Sequence, residues 1–122
     1  MSEWNENQPI YRQLADTIRQ QILQGVWQEG EALPSVRVVA ADMKINHLTV
    51  MKGYQLMVDE GLIEKKRGQG MFVAKGAVGA LREEQQRQFI EQQIPAIAAV
   101  LTQTDMSLDE FVSILRACME KQ

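Results

Sequence analysis

One cysteine, Cys118, and one histidine, His47, exclude a disulfide within the chain, a cysteine-based zinc cluster and a histidine-rich metal site. Long apolar runs are also missing. The longest, Ile94 to Leu101, is far shorter than the roughly 20 residues that span a bilayer. The opening MSEWNENQPIYRQ carries acidic residues and no apolar stretch, so it is not read as a signal peptide. A soluble, cytoplasmic protein without membrane contact is the expectation. The chain holds no nucleophile–base pair and no carboxylate constellation. Gly68-Gln69-Gly70 lacks the spacing and context of a nucleotide loop. Neither an enzyme nor a bound cofactor or metal is expected.

The chain also lacks an excess of positive charge: 13 Lys and Arg face 16 Asp and Glu, a net charge of −3. That balance argues against a nucleic-acid partner until position is considered. Residues 33–75 hold Arg37, Lys44, Lys52, Lys65, Lys66, Arg67 and Lys75 against only Asp42, Asp59, Glu60 and Glu64, whereas residues 76–122 are acidic. The local surplus is small, so modest affinity per subunit and strong salt sensitivity would follow for a DNA binder. A hydrophobic content of 45% is sufficient for a core.

What is present is periodic. Residues 1–8 are polar and read as frayed. Behind Pro9, a residue suited to a first helical turn, Ile10, Leu14, Ile18 and Ile22 recur every four positions, and Gly25 is placed to cap the helix they predict. Gly30 and Pro34 punctuate a loop. Ser35 then caps a short helix with Val36, Val39, Ala40 and Met43 inward. Asn46 caps the next, which turns Val50, Tyr54 and Met57 to the core before Gly61 ends it. Residues 62–65 and 71–73 read as two short strands joined through Gly68 and Gly70. Gly76-Ala77-Val78-Gly79 reads as a hinge. A helix is expected from about Leu81, kinked or divided at Pro95, and Ser107-Leu108-Asp109-Glu110 is a capping-box start for a last one.

Helix, turn, helix and a hairpin with a cationic tip is the order in which a winged helix-turn-helix meets DNA. The N-terminal end of the second helix reads bases, and cations or amides around it hold phosphates. Asn46, His47, Leu48 and Thr49 open that helix, with Met51 and Lys52 one turn on. Ser35 and Arg37 begin the helix before it, and Arg67, Gly68, Gln69 and Gly70 form the tip. Leu48 and Met51 are expected to make apolar contacts, with thymine methyl groups as partners. From the residues alone, Lys52 fits a phosphate contact or plain solvation equally. Thr49 has an alternative as a capping partner, and Lys65-Lys66-Arg67 has one as a solvated hairpin end.

At these positions the chain resembles the GntR family of transcription regulators, and within it the short YtrA-type branch. Pro9-Ile10-Tyr11-Arg12-Gln13-Leu14 is similar to the branch's opening, and Leu33-Pro34-Ser35-Val36-Arg37 to the family's LPS-x-R. Thr49-Val50 with Lys52 and Tyr54 resembles its T-V-x-K-A-Y helix. Gly68-Gln69-Gly70-Met71-Phe72-Val73 resembles its G-x-G-x-F-V wing. The resemblance covers residues 9 to 74. It implies that Arg37, Thr49, Arg67 and Gly68 sit on DNA and that the branch's targets resemble transporter genes. Val36, Lys44, His47-Leu48 and Gly53 depart from the pattern. Lys44 replaces a turn glycine and would need left-handed backbone.

The expected architecture is mainly α with a small β-hairpin: a winged helix-turn-helix over 9–75 and a two-helix dimerisation tail over 76–122. Two helices bury little by themselves, so Phe89, Ile90, Ile94, Ile97, Leu101, Phe111, Val112 and Leu115 are expected to meet the same patch on a second copy. Cys118 is expected in the core or at that interface. The resulting reading is a homodimeric regulator, a repressor on a palindromic operator, with double-stranded DNA and itself as partners. It leaves room for a small-molecule effector but identifies none. The alternative is a winged-helix protein-interaction module without DNA binding.

Overall fold

Leu14, Ile18 and Ile22, four residues apart, put one apolar stripe on α1 (Ile10–Leu23), and all three are buried. Ile10, which continues the same spacing, lies at the exposed start of the stripe. Val39 anchors α2 (Val36–Met43), and Val50, Gly53, Tyr54 and Met57 line the inner face of α3 (His47–Asp59). Together with Leu33, Leu62, Ile63, Val73, Ala77 and Leu81 these residues form one core. The computed structural model describes residues 4–122, which fall into two compact units: one ending at Glu83, the other comprising Glu84–Gln122.

The first unit is a winged helix-turn-helix. After α3, β1 (Ile63–Lys66) pairs antiparallel with β2 (Gly70–Val73), with Ile63 opposite Val73 and Lys66 opposite Gly70. The far edge of β2 is covered by residues 30–33, read above as plain loop. Leu33 N–H donates to Met71 O (2.8 Å), Val73 N–H to Glu31 O (3.0 Å) and Gly30 N–H to Val73 O (2.8 Å). This pairing satisfies backbone groups that an edge strand would otherwise leave open. It is too short to show any alternation in the sequence.

Residues 4–8 are held rather than frayed, and residues 1–3 lie outside the described residues. Gln13 is buried, so its amide needs partners. Its Nε2 donates to Asn5 O (2.9 Å) and Gln8 O (2.7 Å), and its Oε1 accepts from Asn5 N–H (3.0 Å). Across the unit, Arg19 on α1 grips both carboxylate oxygens of Glu60 after α3 (2.7 and 2.8 Å) and also meets Asp16 (2.6 Å).

The expected hinge at 76–79 is a helix start instead. α4 (Ala77–Gln88) begins with Ala77 and Leu81 buried, and only Gly76, at φ 89°, lies outside the helix. Glu29 makes this start by reaching from a distant loop to accept Gly76 N–H and Val78 N–H, each at 3.0 Å. The carboxylate thus satisfies amides at the positive end of the helix.

In the second unit the chain stays helical up to Pro95. It widens through a π-helical turn (Phe89–Gln93), with Ile94 N–H bonded to Phe89 O, and then continues as α5 (Ile94–Gln103). The wide turn accommodates a ring that would collide with a carbonyl four residues back and a nitrogen that cannot donate. α5 ends at Thr104, with Asp105 left-handed (φ 55°) and Met106 N–H reaching back to Leu101 O (3.0 Å). Ser107 Oγ then accepts Glu110 N–H (3.1 Å) and caps α6 (Leu108–Glu120).

The two backbone N–H donors from Gly76 and Val78 hold the Glu29 carboxyl below its ordinary range. Its contribution is therefore full above the usual carboxylate pKa and fades as pH falls through the lowered value. Glu29→Gln should melt earlier than the parent at pH 7, with the gap narrowing towards pH 3. Thermal unfolding followed across that range checks this, and a gap that stays constant with pH would refute it.

Candidate nucleic-acid interface

The turn between α2 and α3 has three residues with three distinct tasks. Lys44 takes left-handed backbone (φ 56°, ψ 46°), and its N–H bonds Ala40 O. Ile45 N–H bonds the same oxygen at 3.1 Å, which closes the helix end in a Schellman-type arrangement. Asn46 Oδ1 accepts Leu48 N–H (2.8 Å) and starts α3. At the other end of α2, Ser35 Oγ accepts Val38 N–H (3.2 Å). The Tyr54 hydroxyl, on the buried face of α3, donates to Pro34 O at 2.7 Å. That bond holds the segment leading into α2 against α3. Loss of solvent around the phenol pushes its pKa up to about 12, so it remains a donor at any physiological pH.

These supports leave a continuous polar and apolar edge in solvent. Arg37, Ala40, Ala41, Ile45, Asn46 and His47 line one open cleft of about 540 Å³, which brings the α2 cation beside the first residues of α3. Ser35 is exposed, and with its oxygen accepting from Val38 its hydroxyl proton is free to donate outward. The amide nitrogen of Asn46 is likewise free. Leu48 and Met51, three residues apart, share one helix face and are 60% and 49% exposed. Thr49 is half-buried. Lys52 does not extend freely: its Nζ lies 4.4 Å from the centre of the Tyr11 ring on α1. Tyr11 and, beside it, Arg12 therefore border this surface. Only the motif Pro9-Ile10-Tyr11-Arg12-Gln13-Leu14 hinted at a role for them.

The hairpin tip is entirely exposed from Glu64 to Gly70. Gln69 N–H bonds Lys66 O (2.9 Å), and the turn between them needs the positive φ of 75° that Gly68 supplies without strain. Lys66 Nζ packs 4.5 Å from the Phe72 ring centre. Among the described residues, none of Arg37, Lys44, Lys52, Lys65, Lys66 or Arg67 is ion-paired with a carboxylate. The arginines so engaged are Arg19 and Arg87. A cationic surface without internal counter-ions is suited to phosphates.

The residues expected at a dimer interface all belong to the second unit, in the π-helical turn, α5 and α6. Ile97, Leu101 and Phe111 are half-buried, while Phe89, Ile90, Ile94, Val112 and Leu115 are exposed, as is Leu108. No residue of Glu84–Gln122 is fully buried. The apolar side of α6 (Leu108, Phe111, Val112 and Leu115) is thus not buried within the second unit. Cys118 is exposed too, rather than in a core of the chain.

The family model described as "Bacterial regulatory proteins, gntR family" matches residues 10–73. The chain is 36% identical over 84 residues to the HTH-type transcriptional repressor YtrA of Bacillus subtilis, covering 69% of this chain and 65% of that protein. A crystal structure of a GntR-family transcriptional regulator from Bacteroides thetaiotaomicron superposes with a TM-score of 0.76 at 32% identity, over 93% of this chain and 99% of that one. The DNA-binding domain of AraR, solved in complex with operator ORX1, superposes with a TM-score of 0.54 at 25% identity, over 61% of this chain and 90% of that domain.

Lys44 is exposed and left-handed, where the family pattern has glycine. A side chain costs about 1 kcal/mol or more in that conformation, partly offset by the larger freedom glycine has when unfolded. Lys44→Gly should therefore raise stability by about 0.5–1 kcal/mol. Chemical denaturation checks this, and an unchanged or lower midpoint would contradict it.

Proposed function

This chain belongs to the GntR family of bacterial regulatory proteins and is a DNA-binding transcriptional regulator rather than an enzyme; on that premise we propose that it is a repressor acting as a homodimer on a palindromic operator. The observation that carries the reading is the shared cleft in which Arg37 meets Asn46 and His47 at the start of α3. In this reading that end of α3 enters the major groove. Asn46, His47, Leu48 and Thr49 then face base edges, with the exposed Leu48 suited to a thymine methyl group. Ser35, Arg37 and Lys52 hold phosphates on one side, and Arg67, Gly68, Gln69 and Gly70 hold the adjacent backbone from the wing.

Two observations support the assembly. The exposed apolar residues Phe89, Ile90, Ile94, Val112 and Leu115 would be removed from water by the same patch on a second copy, with Ile97, Leu101 and Phe111 behind them. A local surplus of only three positive charges in residues 33–75 gives each subunit a weak grip, which two half-sites multiply. Repression is supported by the relative YtrA, whose name describes a repressor, and a dimer seated on a promoter excludes polymerase. Transporter genes as targets rest on the resemblance to the short branch. Action in the cytoplasm fits a DNA-bound regulator. Among the described residues no helix is long and apolar enough to cross a membrane.

The chain should bind a palindrome from its own promoter region with an affinity that falls steeply with salt, and reporter output from that promoter should drop when the chain is supplied. Arg37→Ala or Arg67→Ala should weaken binding by about 10- to 100-fold, the equivalent of roughly 1–3 kcal/mol. Titrations at several salt concentrations test this, and full affinity in both variants would sink the proposed interface. Sedimentation at micromolar concentration should give a dimer, and a monomer there would remove the assembly from the proposal.

A further inference from the structure

We propose that Tyr11, Arg12 and Lys52 form a second phosphate clamp, through which α1 joins α2, α3 and the wing in holding the DNA backbone. The inference rests on the DNA-binding reading above and extends the phosphate contact of Lys52 to Tyr11 and Arg12 on α1.

Two cations meet on one ring. Lys52 Nζ stands 4.4 Å from the centre of Tyr11, within cation–π range. On the same tyrosine Arg12 Nε donates to the hydroxyl at 3.2 Å, with its Cζ 5.7 Å from the ring centre. Among the described residues neither cation pairs with a carboxylate. Asp16, one helical turn from Arg12, has both oxygens engaged elsewhere, Oδ1 by Arg19 (2.6 Å) and Oδ2 by Gln8 (3.1 Å). Like charges gathered without a counter-ion repel each other in the isolated unit, and an external anion relieves them. Tyr11 limits the rotamers of both side chains, so less conformational entropy is lost when they close on a phosphate.

The placement follows from α3. Lys52 lies one turn beyond Leu48, so it borders the exposed Leu48–Met51 face on the side of α1. α1 and α3 approach closely here, beside Gly53. A Cβ there would stand 3.0 Å from Tyr11 O and 3.4 Å from Leu14 Cδ2. A duplex whose major groove receives the N-terminal end of α3 carries phosphates along both groove walls. The clamp faces one wall, and the wing serves the backbone beyond.

The test uses the full chain, a selected operator duplex and an unrelated duplex of equal length, with affinities measured over a range of salt. Arg12→Gln and Lys52→Gln should each weaken binding to both duplexes by the same factor and leave the preferred sequence unchanged. Each should also reduce the slope of log affinity against log salt by about 0.9 per bound subunit. Lys121→Gln, the same charge change at the C-terminus, should alter neither. Tyr11→Phe keeps the ring under Lys52 and releases Arg12, so its slope should fall between those of the parent and Arg12→Gln. Unchanged slopes in both glutamine variants, with Arg37→Ala still impaired, would overturn the clamp and leave the DNA-binding reading standing. A parent chain without salt-dependent DNA binding would overturn both.

Discussion

Val50, Gly53, Tyr54 and Met57 form the buried stripe of α3, and everything the helix can do follows from their being buried. With that stripe packed on α1, α2 and the hairpin, rotation of α3 about its axis is fixed, and His47, Leu48 and Met51 can only face outward. The Tyr54 hydroxyl extends the constraint by bonding Pro34 O and tying the start of α2 to the same core. Gly53 sharpens it by admitting the α1 backbone so closely that an added methyl group would force it to shift. One packed face therefore sets both the angle of α3 and the position of the cations beside it.

The electrostatics show why net charge misleads for this chain. Several of its carboxylates have partners within the chain. Glu29 accepts the first amides of α4, Asp16 and Glu60 receive Arg19, and Glu84 and Glu91 flank Arg87. The cations of α2, α3 and the wing have no such partners among the described residues. The chain is acidic in sum, yet its unpaired positive charge is concentrated on the surface that the fold brings together. Charge segregation of this kind favours an anionic partner at one face.

Much of the fold was readable because its signals are local. Four-residue spacing marked α1, side-chain caps at Ser35, Asn46 and Ser107 marked three helix starts, and Gly68 and Gly70 marked the hairpin. The misreadings share a cause. The held segment at residues 4–8, the extended stretch at residues 30–33 and the early start of α4 at Ala77 each depend on a partner outside the segment itself. At Pro95 the signal was local but its outcome was not. A proline interrupts regular hydrogen bonding, and a wider helical turn relieved it here.

The amino-acid sequence by itself determined which segment forms the helix-turn-helix, where most of its helices begin, and the hairpin turn, because caps, periodic stripes and glycine turns act within a few residues. Only the tertiary structure decided which surfaces remain open. It turned Glu29 into a helix cap and seated Lys52 on Tyr11. It gathered Arg37, Asn46 and His47 into one cleft and left Leu108, Val112 and Leu115 of α6 exposed. Those outcomes depend on which distant groups come within a few ångströms, where hydrogen bonds, ring contacts and steric limits act, and no local pattern contains that information.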